Sequence, residues 1–313
     1  MMKRILTLLA AAMLGILPLA ATVPAVPDPA DVKMETKSYP LSGFSELQVG
    51  WTYQVALTQA DRYSVRVEAP DFVVPYLDVK VTGDRLVLDI TEMPKDIRKK
   101  VEMALKRNEI RAWVAMPNLS GLRMSGAARL NATGRFSAKR FDFKMDLSGA
   151  TVVEGLNVAA GEADIRCSGA AKFGVRGDFT DMKLNLSGAA SGSLEAGKKV
   201  DETEMEVSGA VKCTLTGDFK KLDMEVSGAA NCKLEGSVRD LNLEASGAAK
   251  ADLLGAPADN AEVDLAGAAK VELQVQKTLK AELAGASTCR YKAGPDLRIT
   301  EQTVSRGSAL KRL

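Results

Sequence analysis

A chain of 313 residues, 46% of them hydrophobic, carries enough apolar material for one or two domains with a substantial core, which excludes a disordered chain. Its 42 Lys and Arg against 40 Asp and Glu are too balanced to steer it toward nucleic acid or an anionic membrane. His is absent altogether, which excludes a Ser-His-Asp triad, a Cys-His pair and every His-ligated metal site; four cysteines, none in a CxxC, are too few for a disulfide scaffold.

The chain opens with MMKRILTLLAAAMLGILPLAATVPA, which has the parts of a secretory signal: Lys3 and Arg4, an apolar run from Ile5 to Ala21, and small residues at Ala21 and Ala25 where a peptidase cuts. The run is short for a spanning helix. No Cys lies near its junction with the rest of the chain, so the lipoprotein arrangement, with a Cys just after the signal, is not expected. We expect residues 1–25 to be removed, 26–37 to be a linker and 38–313 to be a single domain without an integral membrane span. Without Lys3 and Arg4, the mature chain carries 40 basic and 40 acidic residues.

Residues 36–91 alternate apolar and polar in YQVALT, YSVRVEA and RLVLDI, with a turn at TGD, and predict short strands that form either the first coils or a cap. PKDIRKKVEMALKRNE (94–109) changes period. Ile97, Val101, Ala104 and Leu105 share a helical face and Pro94 suits a first turn, so a short inserted helix is predicted there, with Lys95, Arg98, Lys99 and Lys106 on its solvated face.

From there the chain repeats. A tripeptide of small residues is centred on Gly126, Gly149, Gly169, Gly188, Gly209, Gly228, Gly247, Gly267 and Gly285, at spacings of 23, 20, 19, 21, 19, 19, 20 and 18; it reads SGA seven times and then AGA twice. A period near 20 over nine copies is the mark of a stacked array. Four residues before the glycine stand Leu122, Met145, Ile165, Leu184, Met205, Met224, Leu243, Val263 and Ala281; two before it stand Met124, Leu147, Cys167, Leu186, Val207, Val226, Ala245, Leu265 and Leu283. Four after it come Leu130, Val153, Phe173, Gly192, Cys213, Cys232, Ala251, Val271 and Cys289, and six after it Ala132, Gly155, Val175, Leu194, Leu215, Leu234, Leu253, Leu273 and Tyr291. These four columns are apolar or small throughout, whereas the odd offsets between them are largely polar.

Alternation by two means strand, with even offsets inward and odd offsets outward. Strands that recur every 19 or so residues, with no room for a helix between them, predict an all-β parallel β-solenoid of about nine rungs, each 18 to 23 residues long and each lying on its equivalent one turn earlier. At about 4.8 Å per rung, nine make a rod of roughly 40 Å. A leucine-rich repeat shares the period but needs LxxLxLxxN, which is absent. The repeated glycine is expected to point inward or to sit at a bend where a side chain would collide with the neighbouring wall. The repeated serine has no base nearby and reads as part of a packed corner.

Cys213 and Cys232 share an inward column on adjacent rungs, with Cys289 three rungs beyond; they are expected to be buried thiols, a Cys213–Cys232 bond being the alternative. Outward, Glu206, Glu225, Glu244, Asp264 and Glu282 follow one another at the position three before the glycine. Such a ladder repels itself and calls for a counter-charge, for which Lys212, Lys250 and Lys270, three past the glycine, are the candidates. A solvated charged face is expected here rather than a cation or glycan site. Trp51 and Trp113 lie outside the nine-copy array.

The stretches GFSELQVGWTYQVALTQADRYSVRVEAPDFVVPYLDVKVTGDRLVL and VAMPNLSGLRMSGAARL, together with the repeated SGA, resemble the head GIN domain of putative auto-transporter adhesins over about residues 38–313. The 94–109 segment stands as an insertion against that family's pattern, and the copies outnumber those of a minimal member. The resemblance implies a right-handed β-helix and an adhesive role, and it supplies no catalytic motif. The function expected is that of an exported, non-enzymatic β-solenoid in the periplasm, on the outer surface or outside the cell, binding protein or glycan along an extended face. The alternative is a carbohydrate-active β-helix lyase or hydrolase working with carboxylates alone. No catalytic, cofactor-binding or metal-ligating residue is assigned. The chain ends at KRL directly after the array, without room for a membrane barrel, so self-anchoring is not expected.

Overall fold

The computed structural model describes residues 32–104, 109–139 and 141–313; the predicted signal, most of the linker, Leu105 and Lys106 lie outside these. Around each repeated glycine the alternation resolves into two strands. The first ends two residues before the glycine and the second begins three after it, as in Asp181–Leu186 and Ser191–Ala196 on either side of Gly188. Every such strand pairs in parallel with its equivalent one rung away, and the register follows the columns: Leu184 opposite Met205, Met205 opposite Met224, Met224 opposite Leu243. Toward the C-terminal end the second strand of one rung runs without a break into the first strand of the next, giving strands such as Lys212–Val226 and Asn231–Ala245. The result is the predicted parallel β-solenoid, with one contiguous core from Phe44 to Cys289.

The columns four and two before the glycine are buried at every rung. The columns after it hold with three exceptions. Gly155 is exposed, because it is the extra residue of a bulge (φ +69) that lets Leu156 take the inward place opposite Val175. Gly192 is half-buried, and a Cβ there would lie 2.3 Å from the ring of Phe173, so it is the small member of a large-small pair across two rungs. Tyr291 is half-buried. Further inward columns add to the core. Two after the glycine come Ala128, Ala171, Ala190, Val211 and their equivalents, six before it Phe143, Met182, Leu222 and Leu241, and at the wide corner, the stretch where the second strand of one rung passes into the first strand of the next, Phe136, Phe179 and Phe219. Thr151 and Thr203 stand in these columns fully buried, with hydroxyls that have no hydrogen-bond partner among the described residues.

The glycine does not point inward. Ser, Gly and Ala form an exposed turn, and the nine glycines have φ between +68° and +86°. A Cβ at each would lie 2.5–2.9 Å from the carbonyl oxygen of the equivalent residue one rung earlier. That same oxygen accepts the next residue's amide, as Gly188 O does from Ala210 N (2.7 Å) and Gly209 O from Ala229 N (2.8 Å). The corner is therefore a hydrogen-bonded stack whose spacing leaves no room for a side chain.

Residues 33–90 supply both the coils and the cap. Strands β1 (Met34–Tyr39), β2 (Glu46–Val49), β3 (Gln54–Gln59), β4 (Ser64–Pro70), β5 (Leu77–Thr82) and β6 (Arg85–Ile90) precede helix α1 (Lys95–Ala104) and strands β7 (Arg111–Met116), β8 (Gly121–Met124) and β9 (Arg129–Thr133). β2 and β3 form a rung whose corner is Gly50-Trp51-Thr52, with Trp51 at φ +57°, the one positive φ outside glycine among the described residues. β6 and β7 pair with the other side of that rung, so a later segment lies before an earlier one in space, and α1 replaces the corner between them. Val101 and Met93 bury the helix, while Lys95, Arg98 and Lys99 are exposed. Antiparallel β4, β1 and β5 close this end. At the other end Arg298–Val304 and Ala309–Arg312 add a rung past the nine copies.

All four cysteines are buried free thiols. Cys213 and Cys232 are directly paired, with their sulfurs 2.8 Å apart. Burial pushes Cys167 and Cys289 up to about 12, and the sulfur-sulfur hydrogen bond, then burial, raises Cys232, so these three are not thiolate nucleophiles at neutral pH.

Candidate binding faces

The outward positions three before the glycine form one unbroken ladder across ten rungs, because each strand pairs in register: Gln48, Arg123, Asp146, Arg166, Asn185, Glu206, Glu225, Glu244, Asp264 and Glu282. Its first half is mixed in sign. Arg123 meets Asp146 at 3.5 Å, and Arg166 donates to Asp164 at 2.7 Å. Its second half is acidic throughout.

The counter-charges expected for that half do not reach it. Lys212, Lys250 and Lys270 stand on the second strand of each rung, beyond the corner, and no ion pair joins them to the ladder among the described residues. Compensation goes to the adjacent columns, in Lys183–Glu204 (2.7 Å), Lys221–Glu202 (2.8 Å), Lys221–Asp223 (2.7 Å) and Lys280–Glu262 (2.9 Å), and these carboxylates raise all three lysines. Among the described residues only Glu282 of the five ladder acids has a cation, Lys280 at 3.4 Å. Glu206, Glu225, Glu244 and Asp264 stand exposed and stacked, about 4.8 Å apart along the strand-pairing direction.

Beside the ladder runs the row of repeat serines. Their hydroxyls donate back into the stack, Ser148 to Met124 O and Ser187 to Cys167 O at 3.3 Å, Ser168 to Leu147 O at 3.4 Å. Between row and ladder lies an open groove of about 710 Å³ running from Gln48 and Arg123 to Glu206 and Ser208. A second, smaller hollow of about 230 Å³ lies among Glu204, Glu206, Asp223, Glu225, Asn242 and Glu244.

Chemically, this face offers hydrogen-bond acceptors and charge at a fixed pitch. The serines face carbonyls rather than a base, and the ladder carboxylates run along a line from rung to rung, with Glu204 and Asp223 in the column beside them. Among the described residues no three of Asp, Glu or Cys are grouped to hold a metal ion, and no helix is long and apolar enough to cross a membrane.

Both tryptophans belong to the stack. Trp51 makes the first corner, and Trp113 projects outward from β7, with the Arg66 guanidinium 4.4 Å from its ring centroid. Nothing in the periodicity marked them, because their rungs lack the small tripeptide.

The family described as putative auto-transporter adhesin, head GIN domain, matches residues 43–198 and 183–295. No curated protein matches the chain. Among solved structures, a putative adhesin from Parabacteroides merdae is 14% identical, with a TM-score of 0.50 over 90% of this chain and 96% of its own. A putative adhesin from Parabacteroides distasonis is 15% identical, with a TM-score of 0.45 over 90% and 98%. A protein described as putative lipid binding, also from Parabacteroides distasonis, is 13% identical, with a TM-score of 0.41 over 90% and 96%. The first of these likenesses supports the fold alone. The family match spans most of the stack, from the first rung's strands to the last of the nine corners, and by it the chain belongs to the putative auto-transporter adhesin, head GIN domain family.

Proposed function

We propose that the chain is an exported, non-enzymatic binding module whose stack holds a charged ladder rigid for a protein or glycan partner. The observation that carries this reading is the ladder itself: ten outward side chains in unbroken register beside a long open groove. Binding by many weak contacts at fixed pitch needs a scaffold that does not lose entropy when it engages, and a stacked sheet supplies one. The signal-like start directs the mature chain to the periplasm, the outer surface or the medium, and residues 38–313 act there as one domain.

The test is glycan-array and pull-down binding with the mature chain, alongside fractionation of the source cells. Replacing Glu206, Glu225 and Glu244 together by Gln, or Arg123 and Arg166 together by Gln, should weaken the retained ligand at least about tenfold, the effect of losing a charge-assisted contact, at an unchanged melting temperature. Absence of any ligand, or a ligand indifferent to both sets, contradicts the proposal.

A further inference from the structure

On the opposite run of strands, near the capped end, the outward pattern breaks. One column reads Arg66, Trp113, Ala56, Asn131 and Glu154 across β4, β7, β3, β9 and the strand Val152–Ala159. The column beside it reads Glu68, Arg111, Gln54, Arg129 and Val152. The large aromatic side chain of Trp113 is thus followed by alanine, the smallest residue of its column. The step leaves a hollow of about 360 Å³ over Ala56, walled by Trp113 on one side and Asn131 on the other. Those two residues are two strand spacings apart, about 9.6 Å at the backbone, which admits one ring between them.

The walls are chemically unlike. Arg66 covers the far face of the indole at 4.4 Å, fixing the ring and leaving its other face to the hollow. Along the side stand Arg111, whose contacts with Glu68 and Glu109 are long (3.8 Å each), and Arg129, which makes no ion pair among the described residues. Gln54 and Asn131 add amide donors and acceptors, and Glu154 stands at the far edge. An aromatic face suits the C–H face of a pyranose, amides suit its hydroxyls, and a guanidinium fork suits a carboxylate. The carboxylate at the edge repels a second acid, so the hollow fits one acidic residue within a neutral glycan.

We propose that this hollow is a binding site for a single uronic-acid residue, stacked on Trp113 with its carboxylate on Arg129 and Arg111. The site is separate from the charged ladder and stands or falls without it. The test uses the mature chain carrying Trp51→Phe, so that Trp113 is the sole tryptophan and is excited selectively, titrated with an aldotriouronic acid, its methyl ester and triglutamate. The expected result is saturable change in Trp113 emission with the acid, at least about tenfold weaker binding of the ester, and a similar loss on Arg129→Gln with the melting temperature unchanged. Because Trp51→Phe alters a corner, the acid is also titrated by calorimetry into the unmodified chain and into Trp113→Leu, where the heat should vanish. No heat with the unmodified chain, equal binding of acid and ester, equal binding of triglutamate, or indifference to Arg129→Gln each overturns the proposal.

Discussion

Gly209→Val should unfold the chain or destabilise it by about 3–5 kcal/mol, at the upper end of what single substitutions do. Two effects add. Gly209 has φ +86°, where an ordinary L-residue is strained by about 1–2 kcal/mol and a β-branched one by more. In addition, a Cβ there would lie 2.6 Å from Gly188 O, which is itself the acceptor for Ala210 N at 2.7 Å. The clash is with backbone inside a ladder, so relief requires separating two rungs, and the corner hydrogen bonds go with it. The comparison is Ser227→Ala, which removes only an exposed turn's hydroxyl bonded at 3.3 Å to Val207 O and should change stability by about 1 kcal/mol or less. Urea titration of both variants checks this. If Gly209→Val lies within about 0.5 kcal/mol of the parent, the stacked-corner account is wrong.

Phe219→Ala should be nearly as damaging, at about 3–5 kcal/mol, with the loss dominated by the cavity left behind. Phe219 is 1% exposed at the wide corner, and its neighbours along the column are Val200 and Val238, too short to close the gap. Its ring also approaches the backbone of Gly217, where a Cβ would sit 3.0 Å from Cζ, so the glycine is shaped to the phenylalanine. Phe141→Ala is the contrast. That side chain is 66% exposed, and its loss should register about 0.5 kcal/mol or less. Thermal or urea midpoints that fall together for the two variants would show that the wide corner is not a packed element.

What could be read from the residues was what recurs. Met205, Met224 and Leu243 are aligned by counting from a glycine, and since parallel in-register pairing carries that count unchanged from rung to rung, the column and the register are the same fact. What escaped was what breaks the count or turns with the chain. Gly155 occupies an inward number but an outward place, since a bulge adds one residue without adding a step. The tripeptide also turns the chain, while Val211 and Ala230, two after their glycines, stay inward as their even offset requires. The same turn carries Lys212, Lys250 and Lys270 away from the acids they were expected to balance. At the capped end the rung of β2 and β3 has Trp51 where others have glycine, and it is sandwiched by β6 and β7 from further along the chain. Pairing between distant segments leaves no periodic trace, so the Trp113 hollow became visible only when β4, β7, β3 and β9 were placed side by side.

The central claim is that the repetition builds a wall and that function resides in what the wall presents. The most direct measurement incubates the mature chain with acidic and neutral polysaccharides and records, in the same sample, both the mass retained on the protein and the appearance of new reducing or unsaturated ends. The account predicts retention that salt or competing ligand reverses, with no new ends at any time. Turnover of a polysaccharide that is abolished by Glu225→Gln in a folded variant would contradict it and make the acidic ladder an active site.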